Sequence, residues 1–81
     1  MTNYVLSPGA RSDLSEIWDY SAEQWGIAQA DRYIRLLTAA CEALATGRIE
    51  GRSAEMIRAG YFRHSVGSHM LFYRMRRRGG I

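Results

Sequence analysis

The feature that most constrains this sequence is a change of hydrophobic period near residue 60. Before it, apolar residues recur three and four positions apart; after it, they alternate with polar ones. The first period belongs to helices and the second to strands, so no single kind of element can serve the whole chain. Helices followed by strands in one short chain predict an α+β fold. With 81 residues there is room for one domain, 1–81. A chain of this size hides only about 60% of the surface its unfolded form exposes, so its stability is expected to be marginal.

Asn3-Tyr4-Val5-Leu6-Ser7 reads as a short N-terminal strand, aromatic and β-branched before a turn signal. Ser7-Pro8 then starts a helix, with Ser as cap and Pro in the first position. Asp13 and Glu16 are expected early enough in it to meet the positive end of its dipole. Ala10, Leu14, Ile17, Trp18, Ser21, Ala22 and Trp25 form one stripe on a helix to about Gln24, which Gly26 ends in a left-handed cap. Ile27, Ala30, Tyr33, Ile34, Leu37, Ala40, Cys41 and Leu44 form a second stripe, ended by Gly47. Asp31 and Arg35 are placed to pair one turn apart. So short a joint folds the two helices back as an antiparallel hairpin. Leu14, Trp18, Ile34 and Leu37 are expected to be buried between them.

Residues 48–60 form a connector, with one helical turn expected over Ala54–Ile57. Tyr61–Val66 and His69–Arg76 then read as strands around Gly67-Ser68, a loop that favours a type II′ hairpin. That register pairs Val66 with His69 and His64 with Leu71. It puts Phe62, His64, Val66, His69, Leu71, Tyr73 and Met75 on the face chosen to pack on the helices. Tyr61, Arg63, Ser65, Met70, Phe72, Arg74 and Arg76 fall on the other; a slip of one residue would exchange the faces. Arg77-Arg78-Gly79-Gly80-Ile81 reads as a second hairpin turn with its returning strand just begun. The predicted architecture is an N-terminal strand and an antiparallel helix hairpin packed on a small, mainly antiparallel sheet.

Charge is unevenly placed. The net +3 conceals five Arg against eight acids over residues 1–55, then six Arg and no acid over 56–81. There is no Lys. Arg offers a planar fork suited to carboxylate or phosphate, so the basic end suggests an acidic partner. Arg76-Arg77-Arg78 also serves as a plain solvated turn. Other classes are excluded. No apolar run approaches the ~20 residues of a membrane span. The N-terminus lacks the basic and apolar regions of a secretory leader. One Cys cannot make an internal disulfide, so a reducing cytoplasm is the expected location. One Cys and two His are too few for a standard zinc site, and neither metal nor cofactor is expected.

An RNA-cleaving site would need an acid–base group and cations for the developing phosphate charge. His64 and His69 could supply the first, Arg58, Arg63 and Arg74 the second. The simpler reading makes His69 a hairpin residue bonded to backbone and His64 a half-exposed strand residue. No acid lies beyond Glu55, so the hairpin offers no carboxylate pair, and no catalysis is expected. Cys41 reads as a small core residue. Trp18, Trp25 and Tyr33 read as core by spacing, yet two Trp are many for so small a core. Part of the stripe, with Trp25 or Tyr33 partly exposed, would then be a groove for a partner.

The ordered set Tyr4-Val5-Leu6-Ser7-Pro8, Asp13-Leu14-Ser15-Glu16-Ile17-Trp18-Asp19-Tyr20, Gln24-Trp25-Gly26 with Gln29-Ala30 and Tyr33, Ile57-Arg58-Ala59-Gly60-Tyr61, and Gly67-Ser68-His69-Met70-Leu71-Phe72-Tyr73-Arg74 resembles the ParE toxins of the RelE/ParE superfamily. The likeness spans about residues 4–76. It implies a type II toxin that binds and blocks DNA gyrase rather than doing chemistry of its own. It also implies a hetero-oligomer with a ParD-like antitoxin, whose C-terminal segment wraps the toxin and whose ribbon-helix-helix part holds DNA, so that the toxin meets DNA only indirectly. On that reading Trp18, Trp25, Tyr33, Arg58, Arg63 and Arg74 bind antitoxin, and Arg74, Arg76, Arg77 and Arg78 bind the target. ParE toxins usually continue past the Gly turn into a last strand that is associated with toxicity; here the sequence stops at Ile81. Two further readings follow: a RelE-like ribosome-dependent mRNA endonuclease, and a detoxified remnant that only binds antitoxin and helps repress transcription.

Overall fold

The change of period becomes two helices and a three-stranded antiparallel sheet, an α+β arrangement: α1 (Pro8–Trp25), α2 (Ile27–Ala45), β1 (Arg52–Ser53), β2 (Phe62–Val66) and β3 (His69–Tyr73), with the strands in the order β1-β2-β3. The computed structural model describes residues 4–75 and 81. Two bodies result, Val5–Ala39 and Met1–Tyr4 with Ala40–Ile81.

In the first body Ser7 caps α1. Its hydroxyl accepts from the Ala10 N–H at 3.0 Å, and its carbonyl accepts from the Arg11 N–H at 3.0 Å. Pro8, which has no N–H, takes the first turn, where none is needed. The expected N-terminal strand does not form over residues 4–7; Asn3 lies outside the described residues. Extended backbone becomes a strand only beside a neighbour that supplies hydrogen bonds, and the β1-β2-β3 sheet does not include this segment. The first turn of the helix, residues 8–11, holds no acid, so Asp13 and Glu16 fall beyond the reach of the dipole's end.

Gly26 is the whole joint between the helices. Its N–H closes α1 on the Ala22 carbonyl at 2.9 Å, and its own carbonyl opens α2 by accepting from Ala30 at 3.1 Å. Its φ of 92° is positive, as expected, but ψ of 164° is not that of a left-handed cap. The backbone leaves extended so that a second helix can begin at once, a conformation that essentially only glycine adopts.

Both stripes face inward, with corrections at particular residues. Ser21, Ala30 and Leu37 are buried, whereas Leu14, Ile17, Trp18, Tyr33 and Ile34 are half-buried. Of the four residues expected to be buried between the helices, only Leu37 is, at 1% exposure. Trp25 and Ile27 are exposed, because they flank the reversal, where neither helix has a neighbouring turn to cover them. Trp18 spans the hairpin by donating its indole N–H to Asp31 Oδ1 at 2.9 Å. That carboxylate oxygen is therefore engaged by Trp18, and Arg35 Nε donates instead to the Asp31 backbone carbonyl at 3.4 Å.

In the second body the last turn of α2 ends in a Schellman motif. Arg48 N–H donates to the Ala43 carbonyl at 3.0 Å and Gly47 N–H to the Leu44 carbonyl at 3.3 Å, satisfying acceptors that a helix end leaves bare. Cys41, Leu44 and Ala45 project from this end into a cluster with Ile81, packed by Tyr4, Leu71 and Tyr73. The expected register holds: Val66 pairs with His69 and His64 with Leu71. Gly67 has φ 57°, and no non-glycine residue among the described residues has positive φ, so Ser68 does not share it and the turn is type II′ rather than I′. Phe62, His64, Val66, His69, Leu71 and Tyr73 are buried or half-buried, while Arg63, Ser65, Met70 and Phe72 are exposed. Phe62 and Tyr73 stack with ring centroids 5.6 Å apart. The strand expected to reach Arg76 stops at Tyr73; residues 76–80 of the expected second turn lie outside the described residues. The connector turn is held by Ile57 and Arg58 N–H groups, donating to the Ala54 carbonyl at 2.9 and 3.0 Å.

Burial pushes the Cys41 thiol above its ordinary 9.0, outweighing a backbone hydrogen bond that acts the other way. Burial also raises Tyr4, with smaller contributions from Cys41 and Glu42. A thiol whose folded pKa is raised contributes stability that is fully present below its unfolded pKa. That contribution is lost as pH rises through the folded value, because the unfolded chain releases the proton first. Stability is therefore expected to be flat with respect to Cys41 at neutral pH and to fall above about pH 9. Cys41→Ala should flatten that alkaline limb in urea denaturation; an identical slope in the variant would contradict the assignment.

Candidate functional site

The residues expected to bind a partner fall on the two bodies. On the helix hairpin, Trp25 is 65% exposed and lies edge-on to Tyr20, 59% exposed, with centroids 6.0 Å apart. Ile27, across Gly26, is also exposed. An aromatic pair beside an aliphatic residue forms an apolar knuckle at the reversal of the hairpin. Trp18 is half-buried and fixed to Asp31, so it holds the hairpin together. Tyr33 is half-buried and engaged in a contact of its own. Of the three aromatic residues expected at a binding groove, Trp25 is thus the most available. Tyr20 was not singled out by pattern, yet the signal was present: an aromatic residue that lies off its helix's apolar stripe.

On the sheet body, Arg58, Arg63 and Arg74 are all exposed. The Arg58 guanidinium sits over the Tyr61 ring, 5.3 Å from its centroid, a cation–π contact that holds the side chain at the connector turn. Met56 and Ile57 of that turn are fully and largely exposed. Arg63 lies in register with Arg52 of β1 on one side and Phe72 of β3 on the other. Periodicity did not reveal Arg52, because two residues cannot display a period. Arg76, Arg77 and Arg78 lie outside the described residues.

His64 and His69 share the half-buried face of the hairpin. Their strands contain no acid to orient an imidazole or share a proton. Among the described residues, no three His, Cys, Asp or Glu side chains converge as a metal site would require. No described helix is long and apolar enough to cross a membrane. The chemistry on view is that of contact: exposed guanidiniums, exposed aromatic rings and a thioether, the residue types enriched where proteins meet.

A helix hairpin that leads through a connector into an antiparallel hairpin is the arrangement expected of the RelE/ParE superfamily of toxins. Residues 4–81 match the family described as the ParE toxin of the type II toxin–antitoxin system, parDE. Toxin ParE1 of Mycobacterium tuberculosis (strain ATCC 25618 / H37Rv) is 44% identical over 80 residues, covering 99% of this chain and 82% of its own length. Toxin ParE1 of Caulobacter vibrioides (strain ATCC 19089 / CIP 103742 / CB 15) is 45% identical over 75 residues, 93% of this chain and 78% of its own. Toxin ParE of Escherichia coli matches over 47 residues at 43% identity, 58% of this chain and 46% of its own. The chain belongs to the ParE toxin family and is the toxin component of a type II toxin–antitoxin system, a role that implies an antitoxin as its partner.

Proposed function

We propose that this toxin acts by binding rather than by chemistry, as one module over residues 1–81 in the cytoplasm. A ParD-like antitoxin neutralises it in a hetero-oligomer, and the free toxin inhibits DNA gyrase. It meets DNA only through the antitoxin. The observation that carries this reading is the two-thirds exposure of Trp25 beside exposed Tyr20. A tryptophan left in water is an unfavourable use of the largest apolar side chain unless a partner covers it. Trp18, Tyr33, Arg58, Arg63 and Arg74 complete the proposed antitoxin contacts, and Arg74 with the Arg76–Arg78 run is proposed to meet the target.

A partner that binds only the folded chain stabilises it by mass action, by roughly 4 kcal/mol at a thousandfold excess over its dissociation constant. The thermal midpoint of the toxin should therefore rise on adding its ParD-like antitoxin, and rise much less for Trp25→Ala. No shift with the wild-type chain would remove the ParD-like partner. Purified toxin should block gyrase supercoiling of a closed plasmid. Cleavage of ribosome-bound mRNA that His64→Ala abolished would replace this reading with the endonuclease one. Antitoxin binding without any effect on gyrase would leave a remnant that serves only in repression.

A further inference from the structure

We propose that the solvent face of the sheet, centred on the cross-strand row Arg52–Arg63–Phe72, is the docking surface for an extended acidic segment of the antitoxin. This rests on the chain's having an antitoxin as partner and specifies where, and by what chemistry, part of it is held.

The row follows from the register, in which Arg52 lies directly opposite Arg63, and Arg63 directly opposite Phe72. Residues so placed have Cβ atoms about 5 Å apart, and like charges there destabilise the pairing. Both arginines are exposed. Strands β2 and β3 contain no acid, and none follows Glu55 in the sequence, so the neighbours of Arg63 on its own strand and on β3 supply no counter-charge. Two guanidinium forks meeting at one point suit a carboxylate, which accepts paired N–H bonds from Arg.

The rest of the face is apolar. Phe72 is 52% exposed and Met70 is 43% exposed. Met70 is the cross-strand partner of Ser65, whose hydroxyl lies 3.7 Å from its sulfur. Residues two apart on a strand lie about 7 Å apart on one face. A partner in extended conformation with an acid at one position and an apolar residue two further on would therefore seat the carboxylate on Arg52 and Arg63, and the apolar side chain on Met70. Arg, aromatic and Met side chains without Lys, Asp or Glu are the composition of a protein interface core. A single-stranded nucleic acid would instead need several aromatic rings in succession along its path; strands β2 and β3 offer one exposed ring, Phe72, on this face.

The test uses the whole toxin chain and its whole ParD-like antitoxin, with affinity measured at low and high salt. Arg52→Ala and Arg63→Ala should each weaken binding about tenfold and reduce its salt dependence. Their thermal midpoints should be unchanged or slightly raised, since a like-charge contact is relieved. Arg63→Gln, which keeps the length of the side chain, should bind as weakly as Arg63→Ala. Unchanged affinity and salt dependence in the arginine variants, with Trp25→Ala binding more weakly, would overturn this surface while leaving the antitoxin reading intact. A wild-type toxin that failed to bind antitoxin would remove both. Tight binding of an oligothymidylate, lost in the arginine variants while antitoxin binding persisted, would reassign the face to nucleic acid and overturn the proposal.

Discussion

Replacing Leu37 by alanine should lower the stability of the chain by about 2–5 kcal/mol. Leu37 is the largest side chain among the described residues that is fully enclosed, at 1% exposure. It lies on the inward stripe of α2, whose other large members in the hairpin, Tyr33 and Ile34, are only half-buried. Truncation there removes the transfer energy of a whole isobutyl group and leaves a cavity. A domain of this size holds only about 4–12 kcal/mol in total. The loss should appear as a fall of at least about 8 °C in thermal midpoint, or as a chain that no longer unfolds cooperatively. Ile27→Ala, at an exposed position of the same helix, should fall by far less. A Leu37→Ala protein that melts with the wild type would mean that the hairpin is not organised around this residue.

Gly51→Ala is the second large expected effect, and its cause is space. A Cβ at Gly51 would lie 2.6 Å from the Arg63 backbone carbonyl oxygen and would collide with the Tyr73 hydroxyl. The same residue donates its N–H to that hydroxyl at 2.8 Å. A tyrosine can swing aside, but the Arg63 carbonyl belongs to the central strand and cannot move without disturbing β2. Crowding of this kind typically costs about 1–3 kcal/mol, and loss of the hydrogen bond adds about 1 kcal/mol. Urea denaturation of Gly51→Ala, Tyr73→Phe and the double variant should show non-additivity, since the double variant no longer has a hydroxyl to displace. Full additivity would mean that the two residues do not meet.

What could be read from the sequence was what repeats or what a turn dictates. The stripe through Leu14, Trp18, Ser21, Ala30 and Leu37 marked the inward faces, and Gly67-Ser68 determined every pair of the β2–β3 register, because a two-residue loop leaves no freedom to slide. Single events were harder to read. β1 is two residues long and exists because Gly51 admits Tyr73, a coincidence of shape that no periodicity reports. The stripe showed which side of each helix turns inward but not how far coverage extends, so Trp25 and Ile27 emerged into solvent. Tyr4-Val5-Leu6 has strand-like composition, but composition does not supply a pairing partner. Of the residues proposed to meet a partner, Trp25 and Arg63 could be named as candidates from sequence, while Arg52 and Tyr20 required the backbone to be in place.

The bond between Gly51 and the Tyr73 hydroxyl also bears on the order in which the sheet is assembled. The β2–β3 ribbon is closed by Gly67-Ser68, and a local hairpin of this kind forms in about 1–10 μs. Gly51 and Tyr73 are separated by 22 positions, and each doubling of a closing loop adds about 0.6 kcal/mol of entropy cost. The Gly51–Tyr73 bond is therefore expected to close on a ribbon that is already standing. The Tyr73 ring, stacked on Phe62 within that ribbon, is held in position before its hydroxyl is needed. Pairing of β1 with β2 needs only the short connector from Ser53 to Phe62 to close, so Arg52 can come beside Arg63 before the tyrosine hydroxyl ties Gly51 in place.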